Sequence, residues 1–167
     1  MGLDRKKCIE LSDEYPEVRD CISQSTDKTN ALPSYEYLFK LKGIIPKELY
    51  AYYFRTILQM NTRNVSVDLR LKMFEGVDPG DIMFQDELDA INGFDDYITV
   101  YRGTSKDELT PGLSWSRRRD IAESSFSRGR LFIATIPKSS ILLYFSHEQD
   151  EEEIIAHVTS DYEIVDY

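Results

Sequence analysis

The sequence predicts an α+β protein, with a helical N-terminal part (residues 1–92) followed by a β-rich part (residues 93–167). In the first part, apolar residues recur every three or four positions, which is typical of amphipathic helices. In the second part, short segments rich in β-branched and aromatic residues are separated by Pro, Gly and polar residues, which is typical of strands in an antiparallel sheet. With 167 residues, 41% of them hydrophobic, the chain is long enough for one integrated domain with a substantial core.

Four helices are predicted in the first part. Pro16 interrupts the first helix, Pro46 is expected at the first helical position of the second, and Gly76 and Gly93 end the third and fourth. The helical segments are LDRKKCIELSDEY (3–15), PKELYAYYFRTILQM (46–60), NVSVDLRLKMFEG (64–76) and DPGDIMFQDELDAING (78–93). The stretch STDKTNALPS (25–34) is predicted to be a loop because it is rich in polar residues and contains a proline.

Five strands and one short helix are predicted in the second part. The strand segments are YITVYRG (97–103), LFIATIP (131–137), ILLYFS (141–146), EIIAHVTS (153–160) and YEIVDY (162–167). The stretch SRRRDIAESSF (116–126) suits a short helix because Ile121, Ala122 and Phe126 give it an apolar face.

Charge and composition limit the kinds of binding partner and the cellular compartment that we expect for this protein. The net charge is −10, which argues against a general basic surface for nucleic acid and favours either a basic protein partner or imitation of nucleic acid. Cys8 and Cys21 are the two cysteines, and neither a CxxC motif nor clustered histidines accompany them, so we expect reduced thiols and no metal site. No apolar run is long enough for a bilayer span or a signal peptide, so we expect a cytoplasmic protein that does not engage a membrane.

Three motifs in the β-rich part carry candidate chemistry, and the first is VYRG (100–103). Arg102 is expected at the end of an apolar strand, with Gly103 directly after it. A guanidinium there is suited to clamp a phosphate or carboxylate with two parallel hydrogen bonds. The alternative is a surface ion pair at a turn.

The second motif is PGLSWSRRRD (111–120). Ser116 is a natural N-cap for the predicted short helix, and three arginines (117–119) would then fill its first turn. Cations at that end oppose the helix dipole, which indicates either a pyrophosphate or acidic-partner site, or a solvated basic turn. Trp115, the single tryptophan, is either a core residue or a wall for a flat ring.

The third motif is the acidic run that enters the fourth predicted strand. If Glu153 begins that strand, the two-residue period places Glu151 and Glu153 on one face and Glu152 on the other. Two carboxylates would then share one site, whereas the alternative is a charged turn without a role. Asp150 and Glu152 are expected to be bystanders.

Arg102, Ser114 and the pair Glu151 and Glu153 occur in an order that resembles the Arg–Ser–Glu pattern of mono-ADP-ribosyltransferases, in particular their small phage and bacterial members. The resemblance covers about the last 70 residues. The middle motif of that family is commonly Ser-Thr-Ser, and here it is Ser114-Trp115-Ser116, so the central position departs from the pattern.

The resemblance implies a split antiparallel β-sandwich that holds NAD, as a substrate, between two small sheets without a metal. It implies that Glu153 is the catalytic carboxylate, that Glu151 orients the nucleophile, and that Ser114 holds the nicotinamide ribose and supports the glutamate. The remaining residues that it places against NAD are Arg102, Gly103, Trp115, Ser116 and Phe126.

These residue types fit the reaction. Cleavage of the bond between ribose and nicotinamide passes through an oxocarbenium-like transition state, and a carboxylate beside the developing positive charge stabilises it. Where two carboxylates lie close together, the pKa of one of them rises, which favours that group as a base.

Several functions stay open at this point. The resemblance implies transfer of ADP-ribose to a host protein, with arginine the favoured acceptor and a basic target suited to the acidic chain. It also implies a phage or bacterial modifier of host machinery or of a defence complex, while nucleic-acid acceptors occur among related folds. The alternatives are an NAD glycohydrolase toxin and an acidic nucleic-acid mimic that acts by binding alone. Tyr50, Tyr52 and Tyr53 either lie on an amphipathic helix that packs on the sandwich, or form a target-recognition face or a lid over NAD.

Overall fold

The computed structural model describes residues 2–24, 30–59, 64–146 and 152–167. Within these ranges the protein has the α+β composition that the sequence predicts, with helices in the first part and an antiparallel sheet in the second. The chain divides into two compact units, Met1–Gln85 and Asp86–Tyr167, so the boundary falls before the change of texture expected after residue 92. Across the same ranges, no helix combines the length and the apolar character needed to cross a bilayer.

The helices follow the predicted segments with four differences, the first of which is that the segment 78–93 forms two helices instead of one. The helices are α1 Arg5–Glu14, α2 Pro16–Gln24, α3 Leu32–Lys40, α4 Lys47–Leu58, α5 Val67–Phe74, α6 Pro79–Ile82 and α7 Gln85–Asn92. Pro16 begins a second helix rather than ending the structured segment, and Pro46 is the N-cap of α4 rather than its first helical residue. The predicted loop after Ser25 is helical from Leu32 onwards, while residues 25–29 lie outside the described ranges.

The first unit is built around α4, which packs against α1, α3 and α6. Phe54 lies at its centre, fully buried, with its ring edge-to-face against Phe74 at 4.6 Å and Tyr35 at 6.5 Å between centroids. Tyr50 and Tyr53 are also buried, and their hydroxyls contact the Met73 carbonyl and the Ser12 hydroxyl. Two of the three tyrosines are therefore buried within this unit.

Cys8 provides a test of the first unit. Its thiol is fully buried, and burial raises its pKa to about 11, so the group is a neutral thiol at pH 8. Cys21 is partly exposed. We expect an aromatic disulfide reagent to label one thiol of the native chain quickly and Cys8 at least about 100-fold more slowly.

The control for this labelling is the chain unfolded in guanidinium, which should expose two equally reactive thiols. The variant Cys21→Ser should lose the fast phase while it keeps the slow one. Two fast-reacting thiols in the native chain would show that Cys8 is not buried by the packing of α1 in this unit.

In the part of the second unit that the structure describes, the strands form one six-stranded sheet, and every pairing between them is antiparallel. The strands are β1 Tyr97–Ser105, β2 Ser114–Ser116, β3 Gly129–Pro137, β4 Ile141–Phe145, β5 Glu153–Ala156 and β6 Tyr162–Asp166, in the spatial order β4-β5-β2-β1-β3-β6. Strand β2 is an addition to the five strands predicted. It connects β4 and β5 to the rest of the sheet, because it pairs with β5 on one side and with β1 on the other.

The junction between β1 and β2 is much narrower than its neighbours. Tyr101 pairs with Ser116 as the single residue pair between these strands, whereas β1 and β3 are paired at nine positions. The described strands thus form one continuous sheet instead of the two small sheets expected, because the pair Tyr101 and Ser116 joins the half β4-β5-β2 to the half β1-β3-β6. This junction lies between β1 and β2, the two strands that carry five of the predicted site residues: Arg102, Gly103, Ser114, Trp115 and Ser116.

Candidate functional site

Three of the predicted site residues lie on three neighbouring strands. Arg102 is in β1, Ser114 in β2 and Glu153 in β5, and these strands are consecutive in the sheet. They are separated along the chain by 12 residues and then by 39. The sheet order therefore places these three residues on adjacent strands, although no local signal in the sequence connects them.

The side chains of Ser114 and Glu153 meet across the β2–β5 ladder. Glu153 pairs directly with Ser116, and Ser114 is two residues along the same strand, so all three side chains point to one face. The Ser114 hydroxyl hydrogen bonds Glu153 Oε1 on this diagonal. This hydrogen bond fixes the orientation of the carboxylate. Because both residues are only half-buried, the pair stays accessible to a ligand.

Arg102 is tied to the same serine through the backbone. Its Nη1 donates to the Ser114 carbonyl at 2.9 Å, and its Nη2 lies 3.5 Å from Glu108 Oε2. Arg102 is inside β1 rather than at its end, because the strand continues through Gly103 to Ser105. Its side chain keeps 23% of its surface exposed, and its buried Nε has no hydrogen-bond partner among the residues that the structure describes. The guanidinium is thus oriented by protein contacts and still has donor capacity for an anion.

Glu108 lies in the loop between β1 and β2, and a second arginine holds this loop in position. Arg130 donates from Nη1 to the Glu108 carbonyl at 2.8 Å and binds Asp166 with Nε at 2.7 Å and Nη2 at 3.0 Å. Gly112, which closes this loop, lies so close to Arg102 that a Cβ there would be 3.2 Å from Nη2. Sequence analysis missed Glu108, because nothing in its local sequence indicates a partner in β1.

Ser116 does not cap the short helix, contrary to the sequence prediction. It is the last residue of β2, and its hydroxyl accepts a hydrogen bond from the Arg118 amide at 2.9 Å. The helix, α8 Arg119–Ile121, has Arg118 as its N-cap and continues into a π-helical turn, Ala122–Phe126. The pairing of Ser116 with Tyr101 and Glu153 keeps it extended and delays the start of the helix.

Each arginine of the run has an acidic partner in the described structure. Arg117 Nη1 lies 3.3 Å from Glu152, Arg118 Nη2 lies 2.5 Å from Asp120, and Arg119 Nε lies 2.8 Å from Glu123. The Tyr167 hydroxyl and then Arg119 lower the pKa of Glu123, and Arg118 lowers the pKa of Asp120. These contacts favour ion-paired arginines over the predicted pyrophosphate site, and α8 itself is only three residues long.

The remaining predicted residues have mixed placements. Trp115 is 2% exposed and donates from Nε1 to the Ala156 carbonyl at 3.2 Å, so it is the core residue and not a ring wall. Phe126 is 43% exposed at the end of the π-helical turn. Gly103 packs against the backbone of that turn. Glu151 and Asp150 lie outside the described residues, so the expected pair of carboxylates is represented by Glu153 alone.

Glu152, which was predicted to be a bystander, makes two contacts with one neighbouring residue. Its backbone is left-handed, with φ of 49°, and both its carbonyl and its carboxylate contact Arg117. Among residues 2–24, 30–59, 64–146 and 152–167, no cluster of three or more His, Cys, Asp or Glu side chains is placed to hold a metal ion.

Comparison of the chain with models of protein families, with curated proteins and with solved structures found no match.

Proposed function

We propose that this protein is a mono-ADP-ribosyltransferase that moves ADP-ribose from NAD to a protein target. The observation that carries the proposal is the contact of Ser114 with both other residues: its hydroxyl binds the Glu153 carboxylate and its carbonyl binds Arg102. An arginine, a serine and a glutamate on three adjacent strands supply a phosphate ligand, a ribose ligand and a carboxylate for the reacting carbon.

Glu153 is the catalytic carboxylate in this proposal. The bond between the anomeric carbon of the ribose and the nicotinamide nitrogen breaks, and its electron pair leaves with nicotinamide, which departs neutral. Positive charge develops on the ribose, and the Glu153 carboxylate stabilises it through a ribose hydroxyl. The Ser114 hydroxyl holds Glu153 in one orientation before the substrate binds, so less reorganisation is needed in the transition state.

Arg102 is the phosphate ligand. Its Nη1 is fixed on the Ser114 carbonyl, while the rest of the guanidinium is partly exposed beside Glu108. A pyrophosphate carries more negative charge than one carboxylate, and it accepts two parallel hydrogen bonds from a guanidinium. Phe126 offers an exposed ring at the end of the turn that packs on Gly103, next to Arg102.

An arginine side chain is the favoured acceptor, on the strength of the Glu-x-Glu spacing of Glu151 and Glu153 in the sequence. In the second half of the reaction, a guanidino nitrogen bonds to the anomeric carbon and releases one proton to a base. The chain carries a net charge of −10, which attracts a basic target and repels a nucleic acid.

The proposal is tested with isotope-labelled NAD and the purified full chain. One reaction contains NAD alone, and a second contains NAD with bacterial lysate. Mass spectrometry then reads labelled ADP-ribose on lysate peptides and the residue that carries it, while chromatography follows release of nicotinamide. We expect a labelled peptide in the second reaction and slow nicotinamide release in the first.

The other outcomes separate the alternatives. Rapid nicotinamide release without a protein adduct would identify an NAD glycohydrolase, and label on nucleic acid would identify a nucleic-acid acceptor. Absence of both turnover and label would overturn the enzymatic proposal and leave a protein that acts by binding.

Glu108 is predicted to weaken NAD binding because its carboxylate competes for Arg102 at 3.5 Å. A half-exposed ion pair is worth up to about 1 kcal/mol, so its removal should have a modest effect. We expect Glu108→Gln to lower the KM for NAD about two- to fivefold with kcat unchanged, measured by nicotinamide release. The control is Glu163→Gln on β6, which removes an exposed charge from the same unit and should change neither constant. A higher KM in Glu108→Gln would show that Glu108 orients Arg102 for the substrate.

A further inference from the structure

Glu153 begins its strand directly after a backbone conformation that few side chains adopt. Glu152 has φ of 49°, in the left-handed region, and β5 begins at the next residue. A non-glycine residue in this region costs about 1 kcal/mol or more and persists only where its surroundings hold it. The direction in which Glu153 enters the sheet therefore depends on whatever holds Glu152.

Arg117 is the residue that makes the contacts to Glu152. Its amide donates to the Glu152 carbonyl at 3.3 Å, and its Nη1 lies 3.3 Å from the Glu152 carboxylate. Arg117 follows Ser116, which is the direct partner of Glu153 in the β2–β5 ladder. The backbone bond thus extends the contact between the two chain segments by one residue beyond the last regular pair, and the ion pair reinforces it.

An aromatic pair supports the guanidinium from the other side. The Arg117 guanidinium lies 4.0 Å from the centroid of the Phe94 ring, in a cation–π contact. Phe94 in turn meets Tyr144 edge-to-face at 5.3 Å. Tyr144 is in β4 and pairs with Ile154 of β5, so the aromatic pair is anchored to the strand that Glu153 begins.

We infer that Arg117 is a positioning residue: it holds the left-handed turn at Glu152 and so directs the Glu153 carboxylate onto the Ser114 hydroxyl. The inference rests on the proposed function for its kinetic consequence, although the contacts themselves do not. The other two arginines of the run differ from Arg117, because Arg118 and Arg119 pair with acidic residues inside their own helical segment.

The test uses the full chain with Arg117→Gln, which removes the ion pair and the cation–π contact. We expect kcat for nicotinamide release to fall about 10- to 100-fold with the KM for NAD within about twofold. The matched control is Arg118→Gln, which removes the same charge from the next residue and should leave both constants unchanged. The rescue variant is Arg117→Gln with Glu152→Asn, because Asn adopts the left-handed region more readily than Glu. We expect it to recover at least about half of the lost kcat on a logarithmic scale.

A second measurement keeps the inference independent of activity. The exchange of the residue-117 amide with deuterated water, followed by NMR, reports its bond to the Glu152 carbonyl. We expect exchange at least about tenfold faster in Arg117→Gln, with no change at Val100, which lies in the β1–β3 ladder.

The outcomes separate the two proposals. Unchanged exchange and unchanged kcat in Arg117→Gln would overturn the positioning role. A raised KM with kcat unchanged and no rescue would also overturn it, since Arg117 would then bind the substrate itself. If the wild-type chain shows no turnover, but amide exchange at residue 117 is faster in Arg117→Gln as expected, the proposed function fails. The role of Arg117 in holding the turn then stands.

Discussion

Glu153→Gln is expected to reduce ADP-ribose transfer about 100- to 1,000-fold through kcat, with the KM for NAD little changed. The substitution removes the negative charge that stabilises the developing cation and keeps the shape of the side chain. The Gln amide can still hydrogen bond the Ser114 hydroxyl, so β5 should keep its pairing with β2. The measurement is incorporation of labelled ADP-ribose into the target under saturating NAD, with circular dichroism to establish the fold.

Glu163→Gln is the matched control for this experiment. It makes the same chemical change at an exposed position in β6, and transfer should stay within about twofold of the wild-type rate. Transfer by folded Glu153→Gln at the wild-type rate would remove Glu153 from the catalytic role.

Five of the six described strands were predictable because the β-rich half follows simple rules. The alternation of Ile98, Val100 and their neighbours indicates a half-buried strand, and β1 forms there with both residues buried. The start of β5 at Glu153 was also predictable, since the charged run before it changes to apolar residues at Ile154. Glu153 and Ser114 could then be placed on neighbouring strands only with the help of the resemblance.

Helix α3 was missed for a physical reason. Its segment begins with Leu32-Pro33-Ser34, which resembles a loop when it is examined residue by residue. Pro33 nevertheless lies in the first turn, where a helix needs no amide donor, and the buried Tyr35 and Leu38 give the helix its packing face. Tertiary burial therefore outweighed the local signal.

The partners of the site residues could not be predicted, because they depend on turns. Glu108 reaches Arg102 through a loop whose path is set by Arg130 in another strand. Arg117 meets Glu152 only because β2 pairs with β5, and the two residues are far apart in sequence. The same sequence would result whether such a charged side chain is solvated or paired, so the sequence alone does not identify its partner.

Gly103→Ala is expected to destabilise the second unit by at least about 3 kcal/mol. A Cβ on Gly103 would lie 2.0 Å from the Ala122 carbonyl oxygen and 2.4 Å from the Ser127 amide nitrogen. Those two atoms bind each other at 2.9 Å and close the π-helical turn, so the turn cannot move aside without losing its own hydrogen bond. Guanidinium unfolding of the full chain, followed by circular dichroism, measures the change.

Gly93→Ala is the control, because it adds the same methyl group in the same unit at a position whose nearest atom, the Ala90 carbonyl oxygen, is 3.3 Å away. It should change the free energy of unfolding by less than about 1 kcal/mol. The comparison also decides what the glycine after Arg102 does. If Gly103→Ala is as stable as Gly93→Ala but binds NAD poorly, the glycine serves the ligand. If it is unstable and its folded fraction keeps the wild-type KM for NAD, then the glycine exists to let the π-helical turn approach β1, and it affects Arg102 only through the strand that carries both.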